Sequence, residues 1–140
     1  MIDQSLPNAV LDTNVLVSGL LTERGNPALI INAFKEKQFN LIYNNEILNE
    51  YRDVLYRDKL GLPIGDINEL LGHIKNTGIP IIPNISNISL TDEDDRIFYD
   101  TAKATCAYLV TGNTKHYPQE RFIITPAKFI ELIQQDGDTS

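Results

Sequence analysis

Four side chains that end in oxygen stand at the borders of apolar runs. Asp12 follows Ala9, Val10 and Leu11, Glu50 lies in NNEILNEYRDVL, Asp95 in DEDDRIFYDTA and Asn113 in LVTGNTKHYP. Carboxylates gathered in one cleft repel each other unless a cation lies among them. A ligand set of oxygens, with no cysteine and no paired histidines, suits Mg²⁺ or Mn²⁺. The question is whether the chain brings these positions to one place.

The elements that must do so alternate along the sequence. NAVL (8–11) reads as a buried strand, and VLVSGLL begins a short helix that stops near Gly25. Asn26 and Pro27 form a cap and first-turn pair for a helix carrying Leu29, Ile30, Ala33 and Phe34. FNLIY (39–43) is a second strand, and Asn44 or Asn45 caps a helix in which Ile47, Tyr51, Val54 and Leu55 recur at helical spacing. Gly61 to Gly65 break the chain, a helix runs from about Asp66 to Lys75, and Gly78 ends it. IPII (79–82) reads as a strand placed near an edge by its prolines. Thr91 and Asp94 resemble a capping box that opens a helix through Phe98, Ala102 and Cys106. AYLVT (107–111) and the short FIIT (122–125) are further strands, Pro126 starts the last helix, and DGDTS at the end is expected to fray.

Strands alternating with helices predict a parallel sheet covered on both faces, a three-layer α/β/α sandwich of four or five strands. Ligands of such sheets bind beyond the carboxyl ends of the strands, where strand order reverses. Asp12 ends the first strand, and Glu50 lies in the second turn of the helix that leaves the second. Asp95 opens the helix after the third strand, and Asn113 comes two residues after Thr111. All four therefore fall on one rim.

With 140 residues, 42% hydrophobic and 22% charged, the chain fits one domain spanning residues 1–140. No apolar run is long enough to cross a bilayer, and MIDQSLPN lacks the pattern of a signal peptide, so no membrane role and a cytoplasmic location are expected. The single cysteine, Cys106, agrees with a reducing compartment and reads as a small buried core thiol. A net charge of -7 argues against broad electrostatic binding to nucleic acid but leaves room for a local site.

In this order VLDTNVLVSGL, NNEILNEYRDVL, DEDDRIFYDTA, LVTGNTKHYP and FIITPAKFIEL resemble the PIN-domain family over nearly the whole chain, with the branch of bacterial toxins of toxin–antitoxin pairs the nearest in pattern. The resemblance implies a metal-dependent ribonuclease that cuts single-stranded RNA to leave a 5′-phosphate. Asp12, Glu50 and Asp95 match the family's acidic positions, and Asn113 stands where many members carry aspartate. A divalent ion at Asp12 and Asp95 would lower the pKa of a bound water, aim it at phosphorus and neutralise the leaving oxygen, with Glu50 completing the shell or positioning the water. Thr13 and Thr111 would steady ligands or water, and Lys115, His116 and Arg121 would meet the RNA backbone. The family also implies a homodimer and a cognate antitoxin partner.

Other readings start from the same residues. Alone, Asp12 is a helix cap; Asp92 or Asp94 is a reserve ligand; Glu46 lies one turn before Glu50 on the same face. His116 reads as a loop residue rather than a catalyst, and His73 belongs to a helix face. A phosphatase with Asp12 as nucleophile would want a second aspartate where Asn14 stands, and no glycine-rich turn follows the first strand for a dinucleotide. The competing function is an impaired PIN module that binds RNA or protein, favoured by the uncharged Asn113.

Overall fold

The computed structural model describes residues 3–82 and 95–138. Five strands form one parallel sheet: β1 (Asn8–Leu11), β2 (Asn40–Tyr43), β3 (Ile79–Pro80), β4 (Tyr108–Val110) and β5 (Ile123–Ile124), ordered β3-β2-β1-β4-β5. Side chains of a strand alternate between faces. Ala9, Val10 and Leu11, like Asn40 to Tyr43, are nevertheless all buried, so both faces of the central strands are covered.

Among the described residues six α-helices cover them: α1 (Thr13–Leu21), α2 (Asn26–Lys35), α3 (Asn45–Leu55), α4 (Ile64–Thr77), α5 (Arg96–Thr105) and α6 (Pro126–Asp138). Helix α1 meets α2 and α3, α2 meets α6, and α3 meets α4 and α5, with α5 lying on β1, β2 and β4. Tyr51, Tyr99 and Phe129 are the largest fully buried side chains, and the Phe129 ring meets Phe39 edge to face at 5.0 Å. No helix among the described residues is long and apolar enough to cross a membrane.

The predicted alternation and sheet are present, and several boundaries differ. The first helix begins directly at Thr13 and ends at Leu21 rather than near Gly25. Gly25, at φ 106°, takes the cap position of α2, so Asn26 is inside the helix and its side chain does not cap it. Asn44, not Asn45, caps α3, accepting from the Ile47 N–H at 2.8 Å. The fourth helix starts two residues before Asp66, and β3 covers only Ile79 and Pro80 of IPII, at the sheet edge as expected.

Cys106 corrects the reading of a buried thiol. Helix α5 stops at Thr105, and Cys106 takes the left-handed conformation that ends many helices, φ 54°. That turn takes it off the buried stripe of Phe98 and Ala102 and leaves it exposed. The final helix runs through Asp138, and the last two residues of DGDTS lie outside the described residues. The capping pair Thr91 and Asp94, together with Asp92, lies outside the described residues.

The contact of α1 with α2 depends on a missing side chain. A Cβ on Gly19 would lie 2.5 Å from Ile31 Cδ1 and 2.9 Å from the Pro27 carbonyl oxygen. The isoleucine can turn away, but the backbone oxygen cannot without moving α2. Alanine gains roughly 1 kcal/mol of helix propensity over glycine, whereas overpacking costs about 1–3 kcal/mol. Gly19→Ala should therefore lower stability by about 1 kcal/mol or more, read as a lower midpoint in urea with an unchanged slope.

Candidate active site

Strand order reverses between β1 and β4, with β2 on one side and β4 on the other side of β1. Their carboxyl ends lead into Asp12 and Thr111. The Asp12 N–H donates to the Val110 carbonyl at 3.0 Å, which fixes the aspartate against the neighbouring strand end.

The Asp12 carboxylate, 5% exposed, is held by three donors. The Asn14 N–H reaches Oδ1 at 3.2 Å, so Asp12 does cap α1. On Oδ2 the Thr111 hydroxyl donates at 2.8 Å and the Tyr117 hydroxyl at 3.3 Å. Thr111 is fully buried and in turn accepts from the Asn113 N–H at 3.0 Å. Its hydroxyl is thus fastened between Asp12 and the loop, where it positions a carboxylate and has no open side for RNA.

Tyr117 was not singled out by the sequence, yet it joins the site's two acids. Its hydroxyl hydrogen-bonds Asp12 at 3.3 Å and lies near enough to Asp95 for that carboxylate to act on it. Burial first, then the negative charges of Asp12 and Asp95, push the phenol far above its ordinary pKa. It stays protonated and serves as a donor between carboxylates that would otherwise repel. Tyr51, completely buried, is pushed up in the same way, by burial and then by Asp12. Its hydroxyl donates to the Leu11 carbonyl at 2.6 Å, pinning α3 to the end of β1.

Asp95 sits immediately before α5 with a side chain 16% exposed, and the His116 Nδ1 stands 3.8 Å from its Oδ2. Asn44 ties the helices that carry the other acids, donating from Nδ2 to Thr101 Oγ1 on α5 at 2.8 Å. Glu50 is half-buried on α3, while Glu46, one turn earlier, is exposed. The Asn113 side chain is exposed, as are Lys115 and His116. Asp100, buried in α5, is a further acid that the sequence did not single out.

The structure therefore brings Asp12, Asp95, Thr111 and Tyr117 together, with His116 at the margin. Among the described residues no three Asp, Glu, His or Cys side chains gather as one metal-holding group. The pair still fits a hard divalent ion on two grounds. Mg²⁺ keeps several waters and is commonly bound through one or two carboxylates. Next to Asp12 in the chain, the buried Thr13 Oγ1 has no hydrogen-bond partner among the described residues, and a buried hydroxyl in that state has room to take a water or ion as partner.

Residues 8–115 match the PIN domain. The chain belongs to this family. An uncharacterized protein of Methanocaldococcus jannaschii is 29% identical over 107 residues, covering 74% of this chain and 69% of its own. PIN domains are in general nucleases and typically use divalent metal ions. Asp12 and Asp95 both lie inside the matched span, whereas Tyr117 lies beyond it.

Proposed function

We propose that this PIN domain is a Mg²⁺- or Mn²⁺-dependent endoribonuclease acting on single-stranded RNA, and that it serves as the toxin of a toxin–antitoxin pair. The observation that carries the reading is the buried Asp12 carboxylate, held by the Thr111 and Tyr117 hydroxyls at the point where strand order reverses, with Asp95 near the same phenol. Asp12 and Asp95 would hold the ion. When bound, it supplies a water of lowered pKa and positive charge beside the scissile phosphate.

The chain's own residues do the rest. Thr111 and the Asn14 N–H fix the rotamer of Asp12, so the carboxylate is set before substrate arrives. Tyr117 offsets repulsion between the two acids while the site is empty of substrate. Glu50 would orient the attacking water from α3, and Asn113 would offer a neutral oxygen from the loop after β4. Lys115 and His116 stand on the adjoining turn, where a phosphodiester backbone would pass. A cognate antitoxin and a homodimer complete the proposal.

Incubation of purified protein with a mixed single-stranded RNA pool tests it. Cleavage in Mn²⁺ or Mg²⁺ that stops with chelator is expected. RNA that survives both metals while remaining bound would favour an impaired binding module, the reading that the uncharged Asn113 supports. Within the enzyme reading, Glu50→Gln should lower the cleavage rate by tenfold or more and Glu46→Gln by less than twofold, because only Glu50 is drawn partly into the fold. The reverse ranking would move the third acid to residue 46.

A further inference from the structure

A groove of about 820 Å³ runs beside β5 and the start of α6, and Lys115, Arg121, Thr125 and Lys128 line it. Tyr117 lines the same groove and hydrogen-bonds Asp12, so the groove comes within one side chain of the acid pair, although neither acid lines it. On a chain of net charge -7 this is an unusual local excess of cations, three against Glu120. Glu120 is engaged elsewhere, accepting from the Tyr99 hydroxyl and standing 4.0 Å from Lys103 Nζ. Lys115 and Arg121 form no ion pair among the described residues. Lys128 meets Glu131 only at 3.9 Å with both side chains largely in water, a weak pair that leaves the ammonium available.

We infer that this groove is the track along which the phosphodiester backbone of single-stranded RNA runs to the Asp12–Asp95 pair, with Lys115, Arg121 and Lys128 as its phosphate contacts. The inference rests on the nuclease reading above and deepens it. An acidic protein that cuts RNA must hold a polyanion somewhere, and a cationic groove one side chain away from the acids is where electrostatics favours it. Arg121 and Lys128 lie beyond the family match at 8–115, and Lys115 at its last residue, so most of the track belongs to this chain's closing segment. Phosphate contacts position a strand without reading its bases. The track should therefore set affinity and salt dependence more than sequence preference.

The test is fluorescence anisotropy of a labelled single-stranded RNA 12-mer in EDTA, so that binding is read without cleavage. Each phosphate contact to a single strand contributes roughly 0.7 to the slope of log affinity against log salt. Three contacts give a slope near -2, or on the order of a 20-fold loss between 50 and 200 mM salt. The triple variant K115Q/R121Q/K128Q should bind at least tenfold more weakly at 50 mM with a nearly flat salt dependence. The control K59Q/K75Q, on exposed lysines elsewhere, should stay within twofold of the parent. A triple variant that binds like the parent overturns the track and leaves the nuclease reading intact. A parent that cleaves RNA with metal but binds none in EDTA likewise overturns the track alone. A parent that neither binds nor cleaves removes both.

Discussion

Asp12→Asn should reduce RNA cleavage by about a thousandfold and leave the protein folded. One unit charge lost at about 4 Å from a cation, at an effective dielectric near 20, is worth roughly 4 kcal/mol, which is about three decades of rate. The fold should tolerate the change because asparagine can keep the cap. Its Oδ1 can accept from the Asn14 N–H while Nδ2 donates to the Thr111 and Tyr117 oxygens, which now accept where they had donated. Single-turnover cleavage together with a thermal melt would check both halves. A mutant within tenfold of the parent rate would remove Asp12 from the chemistry.

Thr111→Val should act through Asp12. The substitution keeps shape but deletes the hydroxyl that donates to Oδ2 and accepts from the Asn113 N–H, in a residue with no exposure. Two polar groups lose a buried partner, which should cost about 1–3 kcal/mol of stability. Losing a group that orients a metal ligand typically lowers metal affinity or activity by about 10–100-fold. Thr111→Ser should restore most of both. A purely structural role would show the stability loss with kcat/KM unchanged at a temperature where the variant is folded.

The general plan of the fold was readable because its signals are local. Buried runs such as Ala9–Leu11 and Leu41–Tyr43, separated by glycine and proline, mark strands and breaks within a few residues of their true ends. Asp12 was legible for the same reason, as a charge closing an apolar strand. What stayed hidden depends on distant partners. Tyr117 sits in the plain loop text KHYP, and its contact with Asp12 spans 105 residues of chain. The tie from Asn44 to Thr101 spans 57. Cys106 misled because helical spacing says nothing of the left-handed residue that ends a helix. For Glu50 and Asn113, position on the rim follows from element order, but the direction of a side chain does not.

The central claim is that Asp12 and Asp95 form a divalent-metal site, and metal titration of the folded protein tests it most directly. Mn²⁺ that binds only the folded chain should stabilise it by about 2.7 kcal/mol at a hundredfold excess over Kd. For a chain of this size that is roughly a 10 °C rise in Tm. Parent protein should show that rise, reversed by chelator, and Asp12→Asn and Asp95→Asn should each lose most of it. A parent whose Tm does not move with Mn²⁺ or Mg²⁺, or acid variants that respond as strongly as the parent, would contradict the site.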